Sequence, residues 1–289
     1  MQFISSFKII LYILISLFFF ILIYLQFLNK QIKVNLSDKI IFVGHAYGKH
    51  GDLVIPEISL KEFLIKNKPN LIFFGGDMTE KHEDYKIFKS YFSKNYNYYT
   101  IKGNHDLDLW KFEDYWSEKS IKNFKFYNME MDENYFFDYD LLKNYNNTYF
   151  LSHFVWFNQL FENIGVNVAN QIIRENFENM KLSKIEHLDF GNNNVYLAGD
   201  CGAFAQNIPY IKTWYKNSIF VCSGIGNKIG HNIVIIDENL SPVFFDNNGK
   251  TVKHSCKSYK GFYSNKIEVC LPQIKEYENM WKNLNNNLG

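Results

Sequence analysis

The sequence predicts an α/β fold, and three observations support that prediction. The chain has 289 residues, which is long enough for one large domain with a substantial core. Short runs of apolar, β-branched and aromatic residues, typical of buried strands, recur along it. Segments with apolar residues at helical spacing separate the first of these runs, which is the order of strand-helix-strand units.

The strand-like runs follow one another from residue 40 to residue 245. They are Ile40–Val43, Leu71–Phe74, Asn97–Ile101, Phe124–Met129, Tyr135–Tyr139, Tyr149–Ser152, Val195–Gly199, Ser218–Cys222, Ile233–Ile236 and Val243–Phe245. Helical spacing predicts helices over Pro56–Asn67, Asp84–Ser93 and Gln273–Leu284, and a mostly helical cap or flank over Val155–Phe190.

The amino terminus carries a nearly unbroken apolar stretch without charge, Ile9–Leu28. At about 1.5 Å per residue it measures roughly 30 Å, enough to cross a bilayer. A cleaved signal peptide is the alternative. The apolar core of a signal peptide is usually only about 7–15 residues long and is followed by a cleavage site of small residues, whereas this stretch is longer and no such site follows it. We therefore predict a single-pass membrane protein with an anchor at 1–30, a linker at 31–38, a main folded domain at 39–250 and an extension at 251–289. The side of the membrane that the domain occupies stays open.

The charge and the cysteine spacing argue against two classes of protein, nucleic-acid-binding proteins and zinc ribbons. The formal net charge is +1, and the basic residues are spread along the chain, so nucleic acid is not an expected partner. Four cysteines lack the close paired spacing of a zinc ribbon. Cys256 and Cys270 could form a disulfide in an oxidising compartment, and four unpaired thiols are an equally open alternative.

Chemistry-bearing side chains follow the ends of five of the predicted strands. They are His45, Asp77, Asn104 with His105, His153 and Asp200. Strand ends of one polarity lie along one edge of a parallel sheet, so these side chains can converge although they are far apart in sequence. Imidazole, carboxylate and amide oxygen suit borderline divalent metals such as Mn, Fe, Zn, Co or Ni. The pattern predicts a metal site.

Three of these motifs make the sequence resemble the calcineurin-like metallophosphoesterase superfamily. Gly76-Asp77, Gly103-Asn104-His105-Asp106 and the lone His153 stand in the order in which that family carries its second, third and fourth motifs. The resemblance covers roughly residues 38–250. It implies a four-layer α/β sandwich of two mixed β-sheets flanked by helices.

The first and last motifs differ from the family pattern. His45-Ala46-Tyr47-Gly48 stands in place of Asp-x-His-Gly, and Gly199-Asp200-Cys201-Gly202 stands in place of Gly-His-x-His. Both changes keep a ligand type at the first position, and Tyr47 becomes a candidate substrate or metal contact.

The resemblance implies which residues share an ion. One metal position would keep Asp77, Asn104, His153 and Asp200, and the other would keep Asp77 and His45. We therefore expect one or two divalent ions. It also implies that His105 lies beside the metal and protonates the leaving oxygen, which suits an imidazole titrating near neutrality.

The implied function is hydrolysis of a phosphate mono- or diester by a metal-activated water, with a phosphate ester as substrate. The alternative is a catalytically silent relative that keeps the fold and binds a glycan or a protein, because the altered motifs lose two of the family's usual ligands.

Overall fold

The computed structural model describes most of the chain. The described residues are 15–21, 34–46, 58–79, 84–106, 113, 115–129, 139–157, 159–161, 185–201, 208–225, 231–261, 263–264 and 266–288. The chain forms two compact units, Met1–Lys33 and Val34–Gly289.

The second unit contains thirteen strands in its described residues. In chain order they are β1 Ile40–Val43, β2 Leu71–Gly75, β3 Tyr98–Ile101, β4 Glu118–Ile121, β5 Phe124–Asn128, β6 Thr148–Ser152, β7 Val195–Ala198, β8 Tyr210–Tyr215, β9 Ser218–Ser223, β10 His231–Ile235, β11 Pro242–Phe245, β12 His254–Tyr259 and β13 Ile267–Pro272. Its helices are α1 Ile58–Asn67, α2 Tyr85–Asn95 and α3 Glu278–Leu288, with short 3-10 helices at Tyr139–Asn144, Ile185–His187 and Lys275–Tyr277.

The strands form two mixed sheets, as predicted. The first has five strands in the order β11-β10-β1-β2-β3. Its β1, β2 and β3 are parallel, and β10 and β11 are antiparallel to their neighbours. The second has eight strands in the order β12-β13-β8-β9-β7-β6-β5-β4. Within it β5, β6, β7 and β9 are parallel, so both sheets present carboxyl strand ends for a site.

Three buried clusters make up the core. Phe73 on β2 and Leu151 on β6 belong to the cluster between the two sheets. The next residue on β2, Phe74, belongs to the cluster that the first sheet forms with α1 and α2. Phe150, which precedes Leu151 on β6, belongs to the cluster on the other face of the second sheet, where α3 also packs. Successive side chains of a strand point to opposite faces, so these near-continuous apolar runs are strands that are buried on both sides.

The segment after residue 250, predicted as an extension, contributes to the second sheet. β13 pairs antiparallel with β8 and with β12. Cys256 and Cys270 lie directly opposite each other on β12 and β13 and form a disulfide, which resolves the alternative left open by the sequence. A second disulfide joins Cys201 to Cys222 on β9.

Some predicted elements lie partly or wholly outside the described residues. Of the strand predicted at Tyr135–Tyr139, only Tyr139 lies within the described residues. It begins a 3-10 helix instead of a strand, and this helix buries Leu142 in the core. Most of the predicted cap at Val155–Phe190 is not described either. In the first unit, residues 15–21 are helical and exposed. Across the parts of the chain that are described, no helix has the length and apolar character needed to span a bilayer.

Candidate metal centre

The predicted site residues follow the carboxyl ends of strands from both sheets. His45, Asp77 and Asn104 come after β1, β2 and β3 of the first sheet, and His153 and Asp200 come after β6 and β7 of the second. The sequence pattern predicted all of them along the edge of one sheet. The structure divides them between two sheets whose ends meet.

Glycines allow the two sheets to meet at this point. A Cβ atom on Gly199 would lie 2.9 Å from the backbone carbon of Gly75, and one on Gly75 would lie 3.2 Å from the Cα atom of Gly199. Real Cβ atoms hardly ever approach so closely, so a side chain at either position would force the strand ends apart. The close approach of β2 and β7 thus depends on the absence of side chains.

Asp77 lies at the centre of the group. Its Oδ2 atom is 3.5 Å from His45 Nε2 and 3.5 Å from His153 Nε2. Its Oδ1 atom accepts a hydrogen bond from the backbone N–H of His105 at 3.1 Å. His45 and Asp77 both have a φ of 52°, in the left-handed region that few residues other than glycine adopt. Such conformations cost of order 1–3 kcal/mol and cluster at functional sites.

A short contact between His153 and Asn104 joins the two sheets. His153 Nδ1 lies 3.0 Å from the carbonyl oxygen of Gly75, which only accepts, so Nδ1 carries a proton and donates it. His153 Nε2 lies 2.9 Å from Asn104 Oδ1, which also only accepts. With the proton on Nδ1, Nε2 has a free lone pair, and this lone pair and the amide oxygen of Asn104 can both bind one metal ion.

The spacing of these atoms fits a metal ion. Ligands about 2.1 Å from one ion lie about 3.0 Å apart in octahedral and about 3.4 Å apart in tetrahedral coordination. The separations between His153 Nε2 and its neighbours are 2.9 Å to Asn104 Oδ1 and 3.5 Å to Asp77 Oδ2. Imidazole nitrogen, carboxylate and amide oxygen are also the donor set that borderline divalent metals take. The residues present fit the ion that the sequence predicts.

His45 and His153 flank Asp77 separately. Among the described residues, the ligand atoms of His45, Asp77 and His153 do not all lie within 4.8 Å of one another, and neither do those of Asp77, His153 and Asp200. His45 therefore approaches Asp77 Oδ2 from a different side than His153 does.

Asp106 organises the site, although the sequence pattern did not single it out. Its buried carboxylate accepts hydrogen bonds from the backbone N–H groups of Met78 at 3.1 Å, Thr79 at 3.3 Å and Gly103 at 3.0 Å. Met78 and Thr79 follow Asp77, and Gly103 precedes Asn104, so one side chain ties the two ligand-bearing turns together. The sequence feature that could have indicated this role is the acidic fourth residue of the Gly-Asn-His-Asp motif. It stands beside a turn whose backbone N–H groups need acceptors.

Burial shapes the electrostatics of the carboxylates. It raises the pKa of Asp77 to about 7, against a lowering by the N–H of His105. Burial also raises the pKa of Asp106 to about 7, and the Asp77 carboxylate adds to this rise. The pKa of Asp200 rises to about 7 by burial as well, with His153 lowering it and Asp77 raising it. A buried carboxylate with a raised pKa is destabilised in its charged form, and a nearby cation would stabilise that form.

The remaining predicted residues are placed as follows. His105 is half-buried on the same turn as Asn104. Asp200 is buried, and its backbone N–H donates to the carbonyl oxygen of His153 at 2.8 Å. Tyr47, the candidate substrate or metal contact, lies outside the described residues.

One compact group of His, Cys, Asp and Glu ligand atoms does occur elsewhere in the described part of the chain. It consists of Cys256, Glu268 and Cys270. Cys256 and Cys270 are joined in a disulfide, and Glu268 pairs with Lys212 at 2.8 Å. This group therefore has no thiolate to offer a metal, and the strand-end site is the better candidate.

A sequence comparison connects this geometry with a known family. The profile of the calcineurin-like phosphoesterase family matches residues 50–194. The matched region contains Asp77, Asn104, His105 and His153. His45 precedes it and Asp200 follows it, so the two altered motifs lie outside the match. No curated protein matches the chain significantly.

Two solved structures are similar to the chain at low sequence identity. Vps29 of Chaetomium thermophilum has 10% identity and a TM-score of 0.37, and the alignment covers 83% of this chain and 100% of that one. GAP50, described as the anchor in the inner membrane complex of Plasmodium, has 9% identity and a TM-score of 0.38, with coverage of 87% and 95%.

Proposed function

Since the chain belongs to the calcineurin-like phosphoesterase family, we propose that it is a membrane-anchored, metal-dependent enzyme that hydrolyses a phosphate mono- or diester. The convergence of Asp77, Asn104 and His153 carries the proposal. His153 Nε2 lies 2.9 Å from Asn104 Oδ1 and 3.5 Å from Asp77 Oδ2, so electron-rich atoms from the two sheets meet at one imidazole.

The proposed ligands are Asp77, Asn104 and His153, with His45 on the other side of Asp77. Asp200 is proposed as a fourth ligand, and its carboxylate would have to turn toward Asp77 and His153 to bind the same ion. Mn, Fe, Zn, Co and Ni all suit this set. A bound divalent ion would polarise a phosphoryl oxygen and lower the pKa of the attacking water.

The chain's own residues orient the reaction. The N–H of His105 donates to Asp77 Oδ1, which fixes the turn of His105 and leaves Asp77 Oδ2 turned toward the two imidazoles. His105 sits half-buried beside Asn104, where its side chain can reach a substrate, and we assign it the proton transfer to the leaving oxygen. The carboxylate of Asp106 accepts hydrogen bonds from N–H groups on both turns, which holds Asn104 and His105 in place relative to Asp77.

Hydrolysis of aryl phosphates tests this function. The purified full chain is assayed with p-nitrophenyl phosphate and bis(p-nitrophenyl) phosphate after loading with each of the five metals. Asn104→Ala should lose turnover, because it removes the oxygen that faces His153 Nε2. His254→Ala is the matched control, since His254 lies on β12 against Phe244, away from the site. Equal turnover in the wild type, Asn104→Ala and His254→Ala would refute the proposal.

A catalytically silent binding module for a glycan or protein is the second candidate. It is favoured by the altered motifs, since His45 stands where the family has a carboxylate and Asp200 stands where it has an imidazole. A chain that binds metal at Asp77 and yet turns over neither aryl phosphate with any of the five metals would support this candidate.

The two disulfides bear on location. Disulfides persist in oxidising compartments, so Cys201–Cys222 and Cys256–Cys270 support a domain on the exported side of the membrane. The apolar run Ile9–Leu28 supports an anchor at 1–30. Fractionation of cells tests both points: the intact chain should stay with the membranes, and its cysteines should resist alkylation until a reductant is added. A processed chain without residues 1–30, or four reactive thiols, would contradict this location.

A further inference from the structure

Three side chains with metal-ligand atoms meet on the antiparallel pair of β12 and β13, and neither strand contributes to the strand-end site. Cys256 on β12 lies directly opposite Cys270 on β13. Glu268 stands two residues before Cys270, so its side chain projects from the same face of the sheet. One ligand atom from each of the three residues lies within 4.8 Å of the other two.

The two sulfurs are bonded to each other in the structure, so a metal can bind here only after the disulfide is reduced. Reduction adds two electrons and two protons and leaves thiols at Cys256 and Cys270. A divalent ion that binds the two thiolates releases both protons. Tetrahedral zinc holds sulfur at about 2.3 Å and carboxylate oxygen at about 2.0–2.2 Å, which places the ligand atoms about 3.6–3.8 Å apart. The three side chains reach these separations by rotation about their Cα–Cβ bonds, with the strand pairing intact.

Lys212 holds the Glu268 carboxylate in place beside the cysteines. Its Nζ atom lies 2.8 Å from Glu268 Oε1. The same Nζ atom donates to the carbonyl oxygen of Asn239 at 2.9 Å and lies 5.0 Å from the centre of the Trp214 ring. Lys212 is buried, so these contacts fix one oxygen of Glu268. The other, Oε2, faces the exposed Lys266 at 3.5 Å, a contact that an ion can replace at little cost.

Exposure and charge also suit an ion at this place. Cys256 is exposed, Glu268 is half-buried and Cys270 is buried. An ion can therefore enter from the Cys256 side, and a water molecule there can take the fourth tetrahedral position. Two thiolates and a carboxylate carry three negative charges, which a divalent ion and the nearby Lys212 and Lys266 offset. Thiolate ligands favour zinc among the divalent metals considered above.

We propose that Cys256, Cys270 and Glu268 form a redox-gated zinc site, which binds Zn²⁺ when the disulfide is reduced and releases it when the disulfide forms again. This inference goes beyond the proposed function, because none of the three residues belongs to the strand-end site. β12 is an edge strand of the second sheet. The disulfide ties it to β13 in an oxidising compartment, and the ion ties it to β13 in a reducing one.

Zinc binding by the full chain, measured with and without a reductant, tests the proposal. The chain carries Asp77→Ala to remove the strand-end site, and Cys201→Ala/Cys222→Val to remove the other thiols. A water-soluble phosphine reduces the remaining disulfide and takes up an oxygen atom from water as phosphine oxide. The reduced chain should bind one Zn²⁺, and the oxidised chain should bind none. Equal zinc content in the two states would overturn the proposal.

Cobalt substitution shows which atoms bind the ion. Co²⁺ added to the same reduced chain should give thiolate-to-cobalt charge-transfer absorption, which Zn²⁺ should abolish. Glu268→Gln should weaken Zn²⁺ binding at least about 10-fold. Glu118→Gln is the matched control, because Glu118 pairs with Lys125 at 3.5 Å on β4 and β5. Absence of the charge-transfer band, or equal Zn²⁺ affinity in the two glutamine variants, would overturn the proposal.

Alkylation of the wild type covers the case in which the variants do not fold. Cys256 is exposed, so its disulfide should open before the buried Cys201–Cys222 bridge. Zn²⁺ should then slow alkylation of Cys256 and Cys270, as mass spectrometry measures, while circular dichroism confirms that the chain stays folded. Equal alkylation rates with and without Zn²⁺ would overturn the proposal. The proposed function fails separately, if the oxidised wild type binds no divalent metal.

Discussion

His153 Nε2 lies 2.9 Å from Asn104 Oδ1, while the other ring nitrogen donates to the carbonyl oxygen of Gly75. The two residues come from different sheets, and a metal ion bound to both facing atoms would join those sheets. Metal binding and the meeting of the two sheets are therefore linked at one contact.

The central position of Asp77 predicts unequal effects of two substitutions. Asp77→Ala should abolish Mn²⁺ binding, because its Oδ2 atom approaches both His45 and His153. His45→Ala should weaken binding by no more than about 10- to 100-fold, since it removes a group on one side only. Equilibrium dialysis of folded protein measures both. Equal loss of metal in the two variants would contradict the assignment.

The assignment of His105 predicts a separation of binding from turnover. His105→Ala should keep bound metal and lose about 10²- to 10⁴-fold in kcat, most strongly for substrates with poor leaving groups, because it removes a general acid. His153→Ala should lose the metal as well. Metal content and kcat are measured on the same preparations. If His105→Ala loses the ion as completely as His153→Ala, His105 is a ligand.

The raised pKa values predict opposite pH effects on stability and on metal binding. The folded-state pKa values of Asp77, Asp106 and Asp200 are about 7, above the ordinary value of 3.8. Their contribution to the stability of the metal-free protein is therefore fully present below about pH 4 and lost as the pH rises through 7. Mn²⁺ requires the ionised forms, so its affinity should fall as the pH drops below 7.

Thermal unfolding from pH 5 to pH 8 checks this prediction. The Tm of the metal-free chain should decrease as the pH rises, and the increase in Tm caused by Mn²⁺ should grow. The same protein in which Asp77 is replaced by Asn should show a smaller pH effect. An Mn²⁺-induced shift in Tm that is the same at every pH would contradict the account.

Gly76 predicts a local effect of backbone conformation on the site. Its φ is +85°, and a Cβ atom there would lie 2.5 Å from His153 Nδ1. Gly76→Ala should lower stability by about 1–2 kcal/mol from the left-handed backbone alone and should also displace His153 and weaken Mn²⁺ binding. Gly249→Ala is the control, because Gly249 has a φ of +64° and packs against α1, away from the ligands.

Denaturant unfolding and Mn²⁺ titration of both glycine variants separate the two effects. Both variants should lose stability, and only Gly76→Ala should lose metal affinity. A Gly76→Ala variant that binds Mn²⁺ like the wild type would show that His153 tolerates the displacement.

The sequence was informative where local patterns decide structure. Apolar runs such as Leu71–Phe74, followed by glycine and a polar residue, correctly predicted β2 and the position of Asp77 at its end. The helix at Ile58–Asn67 was visible because Leu60, Phe63 and Leu64 recur at helical spacing and are all buried. These signals depend on neighbours in sequence.

Long-range pairings were beyond such patterns. Nothing local distinguishes β1–β3 from β6 and β7 as members of two different sheets, because both groups are parallel and buried. The bridge from Cys201 to Cys222 is one of several pairings open to four cysteines. In the sequence, Asp106 is only the last residue of a motif. Its role depends on the N–H groups of Met78 and Thr79, which are 28 and 27 residues away.

Metal content of the purified full chain tests the central claim most directly. Elemental analysis of wild type and Asn104→Ala, after dialysis against buffer containing Mn²⁺, Fe²⁺, Zn²⁺, Co²⁺ and Ni²⁺ in turn, gives ions per chain. We predict one or two tightly held ions of at least one metal in the wild type, their loss in Asn104→Ala, and aryl phosphate turnover that rises with occupancy. A wild-type chain that retains no ion of any of the five metals would contradict the account.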